Sequence, residues 1–258
     1  MDDWELKPAR DLAMPLGKRH RSIRRESGLA ATVLRMAWWS SVRSSLAVFH
    51  RLAIHGREHL PEEPSFVVAA NHASHLDALV IGSAFPLRLR DQLFPIAAGD
   101  IFFESPAIAA FSATVLNALP MWRKKRCGHD LADLRARLLE EKCAYVLFPE
   151  GKRTRDGTMG KFRAGIGMMV AGTPVPVVPC FLHGTYEAFP ADRWWPRFVK
   201  ISIRFGRPMV FDSVANDRPA WNSVAQQTES AVRGLAAEAG IDLPEPEEHT
   251  PQPSRGEP

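Results

Sequence analysis

Cysteine is scarce in this sequence: Cys127, Cys143 and Cys180 are the only three among 258 residues. Their spacing fits no metal finger, and they are too few to staple a disulfide scaffold, so a reduced, cytosol-facing compartment is the simplest reading. No secretory leader is apparent, because residues 1–27 carry charges throughout and hold no apolar stretch. A confident membrane-spanning helix is missing too. The uncharged run 105–122 is fenced by Pro106 and Pro120 and interrupted by Asn117, so it reads as a buried or half-embedded helix near 107–118. The uncharged run 164–182 contains Pro174, Pro176 and Pro179, which forbid a continuous helix. Nucleotide fingerprints are also absent. Gly160-Lys161 is followed by Phe162 with no glycine at 155, and Gly165 and Gly167 lack both a third glycine and a preceding strand.

What is present is an ordinary globular composition, 45% hydrophobic and 24% charged, which excludes global disorder. The net charge of +4 is unevenly spread. Residues 1–60 hold 11 Lys and Arg against 6 Asp and Glu, whereas residues 211–258 hold 3 against 9. A basic body with an acidic tail suits an anionic surface or ligand, without choosing between nucleic acid, phospholipid and a phosphorylated small molecule.

Residues 27–57 contain no Asp or Glu. Leu29, Val33, Leu34, Ala37, Trp38, Val42, Leu46, Phe49 and Leu52 recur there at helical spacing, with Arg35, Arg43 and Arg51 spread over roughly half of the circumference. Lys18, Arg19, Arg21, Arg24 and Arg25 lie just upstream. The pattern fits an amphipathic helix lying on a membrane surface; a core helix of a soluble domain is the alternative.

From residue 65 the pattern becomes α/β, with strands expected at 66–70, 93–98, 144–148, 175–182 and 199–205. Helices are expected at 74–85, 129–142 and 219–239. Residues 244–258, with five prolines and four glutamates, read as a disordered tail. The expected organisation is therefore a basic segment (1–28), a membrane-surface helix (29–54), one α/β domain with a mixed sheet flanked by helices (55–210), a helical segment (211–243) and the tail.

Two stretches carry chemistry. Asn71-His72-Ala73-Ser74-His75-Leu76-Asp77 follows the first strand, and Ser74 with Asp77 three residues on forms a capping box that predicts a helix starting at Ser74. Helical side chains lean toward the N-terminus, so Asp77 can reach back to His72, fix its tautomer and leave the other ring nitrogen free as a base. Asp77 as a mere cap, and a metal cluster of His72, His75 and Asp77, remain as alternatives. The second stretch, Phe148-Pro149-Glu150-Gly151-Lys152-Arg153-Thr154-Arg155, leaves a strand end, where α/β sheets place ligands. There Gly151 permits a tight turn, Glu150 can accept from a hydroxyl, and Lys152, Arg153 and Arg155 can hold an anion. A plain solvated basic loop is the alternative. Leu119-Pro120-Met121-Trp122-Arg123-Lys124-Lys125 ends an uncharged run on a basic patch. Val175-Pro176-Val177-Val178-Pro179 reads as an edge strand near the core or a binding segment.

In this order the four blocks resemble the glycerolipid acyltransferase family, typified by 1-acylglycerol-3-phosphate acyltransferases, over about residues 50–210. The Asn-His-x4-Asp block is matched by Asn71, His72 and Asp77, and the Phe-Pro-Glu-Gly-x-Arg block by Phe148, Pro149, Glu150, Gly151 and Arg153. Lys152 departs from the Thr usual in lysophosphatidate enzymes, and Trp122 from the acidic or small residue usual before the Arg. The resemblance implies His72 as catalytic base with Asp77 as its orienter. It also implies Arg123, Glu150, Gly151 and Arg153 as the residues binding a glycerol-phosphate acceptor. Further, it implies acyl transfer from acyl-CoA or acyl carrier protein to a lysophospholipid hydroxyl at the cytoplasmic face of a membrane. No metal, organic cofactor or nucleic-acid partner is expected. A non-catalytic lipid- or anion-binding protein on the same fold and a metal-dependent hydrolase are the competing functions.

Overall fold

The computed structural model describes residues 14–23, 25, 28–122, 127–190 and 193–244. Arg24, the patch formed by Arg123, Lys124 and Lys125, and the tail from 245 onward lie outside the described residues. In chain order the helices are α1 (Leu16–His20), α2 (Leu29–His50), α3 (Asp77–Ala84), α4 (Leu87–Arg90), α5 (Gly99–Phe102), α6 (Pro106–Thr114), α7 (Cys127–Glu140), α8 (Gly165–Val170), α9 (Thr185–Ala188) and α10 (Arg218–Glu238). The strands are β1 (Ala53–His55), β2 (Phe66–Ala70), β3 (Leu93–Ala98), β4 (Leu119–Met121), β5 (Ala144–Leu147), β6 (Val177–His183) and β7 (Ser202–Phe205).

The strands form one mixed sheet in the order β1-β7-β6-β2-β5-β3-β4. Every neighbouring pair is parallel except β6 with β7. Alternation sorts each central strand onto two cores. Val67 and Ala69 of β2 join Leu131, Leu134, Met169, Val224 and Val232 beneath α7, α8 and α10. Phe66, Val68 and Ala70 face Leu46, Val80, Ile81 and Phe85 beneath α2 and α3. Both faces of β2 are covered, which is why it reads as an unbroken apolar run. Asp217 caps α10 by accepting from the Ala220 N–H at 3.0 Å, with Pro219 in the first turn.

Three expectations need correction. The Val175 to Pro179 run is no edge: β6 lies between β7 and β2. It tolerates Pro179 because that residue's polar groups face β7, where its carbonyl accepts from Gly206 N–H at 2.8 Å and strand pairing begins only at Cys180. The missing N–H therefore falls at the ladder's end.

Helix α2 is not split into an arginine side and an apolar side. Arg35 is buried 3.4 Å from Asp91, and burial lowers its pKa while the Asp91 charge raises it. Trp39 and Leu46 are buried as well, with the Trp39 ring lying where any side chain at Gly82 of α3 would have to go. Leu29, Val33, Leu34, Val48 and Phe49 are exposed, so one apolar face packs on the domain and another looks outward.

The upstream basic cluster is partly turned inward. Arg21 donates to the Phe103 and Glu104 carbonyls, both at 2.8 Å, and buried Arg25 donates to Asn117 Oδ1 at 3.3 Å. Both satisfy carbonyl groups around α6 that the chain would otherwise leave without donors.

Candidate active site

Strands β2, β5 and β6 run parallel, so the loops that follow them emerge on one edge of the sheet. Asn71 closes the ladder there. Its amide donates to the Leu182 carbonyl (2.9 Å) and accepts from the Leu182 N–H (2.8 Å), a side chain doing the work of one more residue of strand pairing. The next residue, His72, is thereby fixed at the mouth.

His72 Nδ1–H donates to Asp77 Oδ2 at 2.8 Å. The same oxygen accepts from the Ala73 and Ser74 N–H groups, each at 2.7 Å, and Asp77 is completely buried. An ionised carboxylate only accepts, so the proton sits on Nδ1 and the Nε2 lone pair is free. The ring lies flat on Phe148, centroids 4.0 Å apart, and its side chain stays 22% exposed. A positioned, half-open imidazole with one free nitrogen is the geometry of a general base. Asp77 thus reaches His72 as expected, although the helix begins at Asp77 and not at Ser74. The Ser74 hydroxyl is engaged elsewhere, donating to Phe189 O (2.5 Å) and accepting from Leu76 N–H (3.1 Å), which keeps residues 73–76 as a loop.

The loop after β5 grips the same residue from the other side. Glu150 is buried, and its two oxygens accept from the main-chain N–H groups of His72 (2.7 Å) and Gly160 (3.0 Å). Burial pushes its carboxyl up to about 7 against the lowering effect of those two donors. The Thr154 N–H in turn donates to His72 O at 3.0 Å. Glu150 therefore holds the backbone that carries His72, where the sequence suggested an acceptor for a substrate hydroxyl. Gly151 makes the turn with φ 75°, and the Arg163 side chain lies against it.

Arg153 meets His75 Nε2 through its guanidinium. Burial lowers the His75 pKa, with Arg153 adding to the effect, so His75 is a neutral acceptor. Lys152, Arg153, Arg155, Lys161 and Arg163 form no ion pair among the described residues, and they outnumber the one exposed acid of this loop, Asp156, so its rim is cationic. Strand β4 ends at Met121 on the same sheet edge, two residues before Arg123, which is itself outside the described residues. A cleft of about 500 Å³ is walled by Asn71 and Ala73, the residues on either side of His72, together with Met159, Tyr186 and Arg193. Among the described residues no group of three His, Cys, Asp or Glu is placed to hold a metal ion. In particular, His72, His75 and Asp77 do not converge as ligands.

Sequence reading missed the Phe148 stack and the Gly160, Thr154 and Arg163 contacts. Phe148 and Thr154 belong to the basic stretch 148–155, but Thr154 and Gly160 act through main-chain N–H groups and Arg163 through a neighbour twelve residues back, none of which a side-chain pattern signals.

The fold is that of a known enzyme: the chain superimposes on the crystal structure of the 1-acyl-sn-glycerophosphate (LPA) acyltransferase PlsC from Thermotoga maritima with a TM-score of 0.62 over 83% of each chain, at 22% identity. In sequence it is 30% identical over 157 residues to the chloroplastic 1-acyl-sn-glycerol-3-phosphate acyltransferase LPAT1 of Arabidopsis thaliana, covering 59% of this chain and 41% of that protein. It is 29% identical over 143 residues to the human 1-acyl-sn-glycerol-3-phosphate acyltransferase alpha, covering 54% and 47% respectively. The chain thus spans less than half the length of these relatives. The model of the family described as Acyltransferase matches residues 51–183, the stretch holding both loops that meet at His72, and the chain belongs to that family.

Proposed function

We propose that this chain is an O-acyltransferase that moves a fatty acyl group from an acyl thioester to the hydroxyl of a lysophospholipid acceptor, with 1-acylglycerol-3-phosphate as first candidate, in phospholipid synthesis. The observation that carries the reading is the 2.8 Å Asp77–His72 pair, which engages Nδ1 and leaves Nε2 free on a partly exposed ring. The names of the relatives support the acceptor class. His72 Nε2 takes the acceptor hydroxyl proton as that oxygen bonds to the thioester carbonyl carbon. The C–S bond then breaks, and the departing thiolate recovers a proton from the imidazolium. Asp77 balances the charge that His72 gains. These steps need no metal or organic cofactor.

Glu150 acts as a positioning residue, holding the amide of His72. The cationic rim of Lys152, Arg153 and Arg155, with Arg123 beyond β4, suits an acceptor phosphate. The outward apolar face of α2 supports attachment to a membrane surface, and no helix among the described residues is long and apolar enough to cross one.

The test is free-thiol release from acyl-CoA and from acyl carrier protein, offered with lysophosphatidate, other lysophospholipids and lyso-ornithine lipid. Acceptor-dependent release that falls roughly 10²–10⁴-fold in His72→Ala supports the reading. Full activity in that variant rejects it.

A further inference from the structure

The loop between α9 and β7 lends Arg193 to the wall of the cleft but no group to the proton transfer above, and its composition is unusual: Arg193-Trp194-Trp195-Pro196-Arg197-Phe198-Val199-Lys200. Trp194 is 91% exposed, Trp195 83% and Phe198 70%. Large apolar rings left in water as a group mark a surface that something else covers.

The loop is held in place at both ends. The Arg197 N–H donates to the Ala188 carbonyl at 2.7 Å, and Phe198 stacks on Phe49 of α2 with centroids 5.0 Å apart and 22° between planes. His50 meets the same ring edge-on at 6.0 Å and reaches the Val199 carbonyl through Nδ1 at 3.2 Å. Through Phe49 and the exposed Val48 beside it, the aromatic loop is continuous with the outward apolar face of α2. At its other end, Phe189 accepts the Ser74 hydroxyl from the histidine loop.

Charge decides what covers this surface. Residues 193–200 carry three cations, Arg193, Arg197 and Lys200, all exposed, and no acid. Tryptophans interleaved with cations suit the boundary between headgroups and acyl chains, where the rings leave water and the cations meet phosphates. A protein partner burying the same rings would have to cover the cations with acids.

We propose that residues 193–200 form a second docking element, which seats on an anionic phospholipid bilayer together with the outer face of α2 and brings the cleft beside His72 to the lipid surface. For its partner this rests on the membrane-surface reading above, but not on acyl transfer.

The test uses the full chain and the double variant Trp194→Ser/Trp195→Ser, whose side chains support no packing. Vesicles of phosphatidylcholine and phosphatidylglycerol at 3:1 are sedimented with each protein, and brominated acyl chains serve as quenchers of tryptophan fluorescence. The wild type is expected to bind and be quenched, and to bind pure phosphatidylcholine less tightly. The double variant is expected to lose roughly tenfold or more in vesicle affinity, together with most of the quenching, as two indoles no longer leave water. Arg193→Gln/Lys200→Gln is expected to flatten the salt dependence. Equal binding by wild type and the tryptophan double variant overturns the proposal. So does self-association that the double variant abolishes while vesicle binding persists, since a second copy would then be the occupant. His72→Ala separates the two readings, because it is expected to cut turnover roughly 10²–10⁴-fold and to bind vesicles as the wild type does. If no acceptor is acylated while the tryptophan variant still loses binding, the docking element stands and the catalytic reading falls.

Discussion

Replacing Asp77 by Asn and by Ala is expected to give two different defects. In an isolated His–Asp pair an amide can turn its NH2 toward the imidazole and force the wrong tautomer. Here that rotamer is blocked. Asp77 Oδ2 accepts from two main-chain N–H groups as well as from His72, so only a carbonyl oxygen fits the position, and the NH2 of Asn must take the place of Oδ1. Oδ1 is buried without a hydrogen-bond partner, so the exchange leaves a buried donor unmatched at a cost of about 1–3 kcal/mol in stability. Asp77→Asn thus preserves the Nδ1–H tautomer and removes only the charge facing the imidazolium. At the separation of such a pair, with an effective dielectric near 20, that charge is worth about 4 kcal/mol. Screening at a ring that is 22% exposed reduces it to about 2–3 kcal/mol, or roughly 30- to 150-fold in kcat/KM. Asp77→Ala frees the tautomer as well and is expected to approach the loss seen in His72→Ala. The assay is acceptor-dependent thiol release, with urea denaturation run beside it to confirm that each variant is folded. Equal losses in the Asn and Ala variants would show that the neighbouring N–H groups do not hold the Asn side chain in the orientation that keeps the Nδ1–H tautomer.

Glu150→Gln is expected to lower kcat by loosening the His72 loop while altering the pH dependence of stability. The folded-state carboxyl, at about 7 against an ordinary 4.5, holds its proton more tightly than the unfolded chain does. Wild-type stability therefore falls as pH rises between those values, by on the order of 3 kcal/mol in all, and the Gln variant lacks that slope in denaturation at stepped pH. Asn71→Ala leaves the Leu182 N–H and carbonyl unmatched inside the sheet and is expected to cost about 2–4 kcal/mol, read as a lower thermal midpoint. Val33→Ser/Leu34→Ser, both on the outward face of α2, is expected to weaken vesicle sedimentation without changing the denaturation midpoint. Deleting residues 1–54 is a poorer test, because it also strips Trp39 and Leu46 from the core and cuts into β1, so it is expected to lower stability as well as binding.

The central strands were legible because burial on both faces leaves β2, β5 and most of β6 with one kind of residue, and such runs stand out. β1 and β4 were not. Each is three residues long and pairs with one neighbour at the sheet edge, so neither carries enough residues to show a period. α8 was hidden for a different reason: Gly165 and Gly167 lower its helix propensity, yet α10 lies so close that a side chain at 167 would run into the Trp221 backbone. The burial of Arg35 could not be read from the helix pattern at all. Its partner Asp91 comes from another part of the chain, and helical spacing describes only the helix's own faces.

The site divides along the same line. His72 and Asp77 lie within one short stretch, and the direction of helical side chains alone predicts that they meet. Glu150 looked like a ligand residue because a carboxylate in a basic loop invites that reading. Its actual partners are main-chain N–H groups, one 78 residues away and the other ten. Sequence patterns record side chains, so a contact made to an amide leaves no mark at the partner's position. This accounts for how two separate motifs serve one imidazole. The first supplies His72 and the carboxylate on its Nδ1, while the second holds His72 N–H through Glu150, His72 O through Thr154 and the flat of the ring through Phe148. With ring, amide and carbonyl all engaged, the Nε2 lone pair is the polar group left for a substrate hydroxyl, and its direction is set by both loops together.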